Sequence, residues 1–81
     1  MIELNENQIQ RLFMLFEFNE DEGITKATIE SERGGWLEIH YEGINDKSKG
    51  CHRIYLAKHS QEDLDKVDFI LNGIKLERNP S

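Results

Sequence analysis

The chain has little of what small proteins use to substitute for a core. Its one cysteine, Cys51, excludes an internal disulfide framework and fits a reducing compartment. A single proline alongside 37% hydrophobic and 32% charged residues is not the composition of a disordered chain. The longest apolar run covers only residues 12–16, far short of a membrane span. The start lacks a basic segment followed by an apolar one, so a soluble, cytoplasmic protein is expected. Basic residues are the scarcer charge, 10 against 16 acidic, for a net charge of −6. That balance argues against direct binding of nucleic acid, which needs phosphates neutralised, and against an anionic membrane surface. It permits a basic protein partner, and it also serves solubility alone. No phosphate-binding glycine loop, internal repeat or linker is present, and 81 residues suffice for one domain with a modest core.

What the chain does have is alternation. Trp36-Leu-Glu-Ile-His-Tyr-Glu42 and Cys51-His-Arg-Ile-Tyr-Leu-Ala-Lys58 flank a polar loop with glycine at each end, the pattern of an antiparallel hairpin. A third alternating run over 24–30 precedes it, across the turn Ser31-Glu-Arg-Gly-Gly35. With five loop residues there, Ile29 falls opposite Leu37, Ala27 opposite Ile39 and Thr25 opposite Tyr41. With Glu42 paired to Cys51, Leu37 faces Leu56, Ile39 faces Ile54 and Tyr41 faces His52. This register gathers Thr25, Ala27, Ile29, Leu37, Ile39, Tyr41, His52, Ile54 and Leu56 on one face, and a slip of one residue would scatter them.

Helical patterns bracket the strands. Asn5 reads as an N-cap, with Gln8 completing a capping box, and Ile9, Leu12, Phe13 and Phe16 form one stripe of a helix over about 5–18. Met14 and Phe18 point away with Arg11, either to be covered by the C-terminal segment or to form a contact surface. Asn19-Glu-Asp-Glu-Gly23 ends that helix and does not fit a calcium loop, because Phe18 and Ile29 fall at ligand positions. Ser60 caps a second helix over about 61–72, with Leu64, Val67, Ile70 and Leu71 as its buried stripe and Asn72-Gly73 as its stop. Ile74-Lys-Leu-Glu77 reads as a short extra strand or a tail packed on the first helix, and 78–81 as a loose tail. The expected fold is α+β: one α-β-β-β-α domain, a three-stranded antiparallel meander with helices packed on one face.

That order of elements resembles the double-stranded RNA-binding domain, which grips phosphates with a lysine-rich start to its last helix. Here the matching stretch, Gln61-Glu-Asp-Leu-Asp-Lys66, is acidic, so the resemblance does not extend to RNA binding.

The opposite sheet face carries Trp36, Glu38, His40 and Glu42 beside Arg53, Tyr55 and Ala57, with Ile24, Lys26 and Thr28 on the first strand. Aromatics, an arginine and flanking carboxylates have the make-up of a binding hot spot, though the same residues also serve as ordinary cross-strand packers. Phe69 projects near Glu62, Asp65 and Lys66, so either the last helix is rotated or Phe69 is an exposed anchor. Catalysis finds no support. Cys51 and His52 are adjacent on a strand and point to opposite faces, while His40 and Cys51 lack a second cysteine or fourth ligand to complete a metal site.

The expectation is therefore a small, acidic, non-enzymatic inhibitor or regulator that binds a protein with a basic surface. Its concrete form is a phage-type anti-defence protein covering a nucleic-acid-handling partner. The candidate contacts are Trp36, Glu38, His40, Arg53 and Tyr55 on the sheet, Glu62, Asp65 and Phe69 on the last helix, and Glu20, Asp21 and Glu22 in the turn, with no cofactor or metal required. The competing expectation is a homodimeric structural or regulatory domain, joined through sheet edges at 24–30 or 51–58.

Overall fold

Local signals start both helices as their side chains require. In this computed structural model, which describes residues 1–17, 23–43 and 52–76, Gln8 N–H donates to Asn5 Oδ1 at 2.9 Å and Asn5 N–H donates to Gln8 Oε1 at 2.8 Å. Both halves of the capping box are thus made, and they open α1 (Glu6–Leu15). Leu4 before the cap and Ile9 inside the helix are buried in the same core, the hydrophobic staple that accompanies such a box. The helix ends earlier than expected. Phe16 has an extended backbone (φ −126°, ψ 140°) and turns into the core beside Leu15, while Phe13 is 39% exposed. Met14 is 74% exposed, so no described residue covers it.

The antiparallel sheet has four strands rather than three: β1 (Ile2–Glu3), β2 (Ile24–Glu32), β3 (Trp36–Gly43) and β4 (His52–Ala57), in that order across the sheet. The chain therefore runs β-α-β-β-β-α. β1 pairs Ile2 with Ile29 and Glu3 with Thr28, and covers part of the β2 edge that the sequence reading leaves open. Between β2 and β3 the register lies two residues from the expected one. Ile29 meets Ile39, Ala27 meets Tyr41 and Ser31 meets Leu37, because β2 runs on to Glu32 and the turn shrinks to residues 33–35. Gly34 and Gly35, at φ 93° and 89°, take the left-handed conformations this tight turn needs. A shift of two keeps every side chain on its own face. The β3–β4 register is the expected one, with Leu37 opposite Leu56, Ile39 opposite Ile54 and Tyr41 opposite His52. Thr25 departs from the inner set because the pairing shifts between Ile24 and Lys26, leaving Thr25 exposed. His52 is also exposed, with its ring stacked on Tyr41 at 5.3 Å between centroids.

α2 (Gln61–Asn72) is tied to the rest of the molecule at both ends. At its start Asp63 N–H donates to Ser60 Oγ at 3.3 Å, while Asp63 Oδ2 accepts from Ala57 N–H on β4 at 2.9 Å. Gly73 closes the other end in the left-handed conformation (φ 71°). The last turn contains no basic residue of its own. α1 supplies one: Arg11 Nη1 donates to Ile70 O at 3.1 Å, and Gln8 Nε2 donates to Leu71 O at 3.0 Å. Arg11 thus lies between the helices and does not point away beside Met14.

The core joins Leu4, Ile9, Leu12, Ala27, Ile29, Ile39, Tyr41, Leu56 and Ile70, with Val67 and Leu71 packed against it. Residues from both helices therefore meet one face of the sheet. α2 is rotated from the expected projection: Phe69 is half-buried and Leu64 is 37% exposed. Ile74 and Leu76 are exposed and form no strand, and the rest of the expected tail lies outside the described residues. No helix among the described residues is long and apolar enough to cross a membrane.

Candidate functional site on the outer face of the sheet

The outward positions of β2, β3 and β4 form one continuous surface. Glu32 lies opposite Trp36, Glu30 opposite Glu38 and Thr28 opposite His40, while Tyr55 and Arg53 face Glu38 and His40 from β4. Trp36 and Tyr55 are about half exposed, at 49% and 56%. Between them sits Glu38, only 8% exposed although it points away from the core. These residues line a groove of about 530 Å³ together with Glu32 and Arg33. The groove offers aromatic faces and carboxylate acceptors, the chemistry that receives a guanidinium or ammonium group. Among the described residues its lining contains no serine, threonine or cysteine to act as a nucleophile.

Next to the groove, two carboxylates converge on one imidazole nitrogen. His40 Nε2 lies 2.8 Å from Glu38 Oε2 and 3.1 Å from Glu30 Oε2. An ionised carboxylate only accepts, so Nε2 is the donor; its hydrogen bonds Glu38 Oε2, while Glu30 Oε2 stands close by without a hydrogen bond of its own to the ring. Glu30 is absent from the residues singled out by sequence. The five-residue turn places it opposite Trp36, whereas the observed turn places it opposite Glu38. The signal that finds it is the continued alternation through Ser31 and Glu32, which extends the strand and shortens the turn.

The sequence-predicted contacts divide into separate surfaces. Trp36, Glu38, His40, Arg53 and Tyr55 share the outer face. Glu62, Asp65 and Phe69 belong to α2, which packs on the other side of the sheet through Ile70. There Glu62 is exposed, Asp65 is half-buried and accepts from Gln61 Nε2 at 2.9 Å, and Phe69 is not an exposed anchor. Glu20, Asp21, Glu22 and Cys51 lie outside the described residues. No family model matches the chain, and comparisons with curated proteins and with solved structures find no match.

Proposed function

We propose that this chain is a non-enzymatic binding protein, and that it takes a basic side chain of a protein partner into the groove between Trp36 and Tyr55. The observation that carries the reading is the groove itself: exposed aromatic walls around Glu38, a carboxylate already withdrawn from water. An arginine entering it would stack on the rings and meet the carboxylates, so part of its desolvation would be offset by charge-assisted hydrogen bonds. In its concrete form this is an inhibitor working in the cytoplasm, one that covers the basic surface of a nucleic-acid-handling protein in the manner of phage-type anti-defence proteins. The net charge of −6 supports steered association with such a surface. Glu62 and Asp65, on the far side of the sheet, then contribute to the long-range field and not to the contact.

Trp36 is the chain's one tryptophan, so its fluorescence reports on the groove alone. Titration with an arginine-rich peptide should give a saturable change that weakens as salt is added. Tyr55→Ala and Glu38→Gln should each weaken binding roughly tenfold or more, as expected of a central contact. A response absent for the arginine peptide, or unchanged in both variants, would remove the reading.

A second reading rests on β4, whose outer edge carries no neighbouring strand among the described residues. Pairing of that edge with a second copy would make a continuous sheet and a homodimer. Sedimentation over a range of concentrations separates the two: a monomer throughout excludes the dimer and leaves the groove reading standing.

A further inference from the structure

We propose that Glu30, Glu38 and His40 form a binding site for a first-row divalent cation of the zinc class. The site uses the open face of the sheet but does not depend on the partner reading. Three observations lead to it. The register sets two glutamates directly opposite each other, Glu30 on β2 and Glu38 on β3, an arrangement that is repulsive unless a positive charge lies between them. The carboxylates do not turn away to solvent: one oxygen of each points at His40 Nε2, and all three candidate ligand atoms lie within 4.8 Å of one another. Glu38 is also buried, its side chain 11% exposed, on a face otherwise open to water. A buried carboxylate facing a second carboxylate is held at a cost that the one hydrogen bond from His40 to Glu38 compensates poorly.

The two nitrogen–oxygen spacings suit a metal, and the carboxylate oxygens lie within 4.8 Å of each other. Ligands held at about 2.0–2.1 Å from a dication lie about 2.9 Å apart at right angles and about 3.4 Å apart at the tetrahedral angle. The observed Nε2–oxygen separations, 2.8 and 3.1 Å, fall on such an edge. Two carboxylates and one imidazole also match the charge and softness of zinc-class ions, whereas magnesium prefers an all-oxygen, largely hydrated shell. On binding, the neutral imidazole takes the tautomer with its one hydrogen on Nδ1, and the freed Nε2 lone pair coordinates the ion, so no proton is gained or lost. Water completes the coordination from the exposed side.

Calorimetric titration of the purified metal-free chain with zinc chloride tests this without any partner. One ion per chain is expected, with a higher thermal midpoint in excess zinc and no comparable effect of magnesium. Glu30→Gln, at a half-exposed position where folding should survive, is expected to weaken zinc binding roughly tenfold or more. His40→Asn is expected to do the same, and Cys51→Ser to leave it unchanged. No binding at millimolar zinc would overturn the proposal. So would affinity that survives Glu30→Gln, or affinity lost with Cys51→Ser, since the ion would then sit elsewhere. None of these results touches the arginine-peptide titration, so the two readings fail separately.

Discussion

The two faces of the sheet are held by forces of different kinds. On the inner face Ile29, Ile39 and Ile54 lie side by side across three strands, and Leu12 and Ile70 close over them from the helices. Burial of that sort is non-directional: it depends on how much apolar surface leaves water, and little on which branched side chain meets which. The outer face depends on particular neighbours. Glu30 matters because it meets Glu38, and His40 because its Nε2 lies about 3 Å from both carboxylates. The inner face therefore sets stability, the outer face is the one proposed to bind, and substitutions should separate the two.

The largest effect belongs to the inner face. Ile39→Ala, at a fully buried central-strand position, should remove about 2–5 kcal/mol of unfolding free energy in a urea titration. The arginine-peptide response should persist in whatever fraction stays folded. A loss below about 1 kcal/mol would mean that the core repacks freely and that the division by face is too simple.

Gly35 lies at the seam between the faces. Gly35→Ala should cost about 1–3 kcal/mol, because its φ of 89° disfavours a side chain and the new Cβ would stand 3.1 Å from the His59 ring. Gly34→Ala shares the backbone penalty, but its Cβ would meet only Trp36 Cδ1 at 3.7 Å, so it should be the milder change by thermal melting. Arg11→Ala should cost about 1 kcal/mol by removing a charged donor from the α2 carbonyls, without altering peptide binding. Glu30→Gln comes last, with stability expected within about 0.5 kcal/mol of the parent chain while zinc affinity falls. A Glu30→Gln chain that unfolds easily would join the two faces again.

The same division explains what the sequence revealed. The inner face is legible because a change of two residues in turn length leaves every apolar side chain on its own side, so Ala27, Ile29, Ile39 and Leu56 reach the core under either turn. Both N-caps were legible because their chemistry is local: Asn5 with Gln8, and Ser60 with Asp63. The outer constellation was only half legible. Trp36, Glu38, His40, Arg53 and Tyr55 follow from the β3–β4 alternation, but the partnership of Glu30 with Glu38 requires the turn length, and two glycines after a charged stretch fit either loop. β1 was hidden because two residues cannot display a period, although Leu4 stood at the staple position of a recognised capping box. The apolar pattern of α1 ran on past its real end because Phe16 serves the core from an extended backbone as well as it would from a helical one.

The contact between α1 and the end of α2 bears on the order in which the chain takes shape. The start of α2 is anchored by Ser60, Asp63 and Ala57, all within a few residues. Its finish rests on Arg11 and Gln8, which lie 59 and 63 positions from the carbonyls they reach. The β3–β4 pairing and the first turn of α2 close short loops and should form early, whereas the final turn should gain these two partners only after a long loop has closed. On a ribosome, α1 would wait for α2, and docking of the pair would be the step that turns a wet sheet into a closed core.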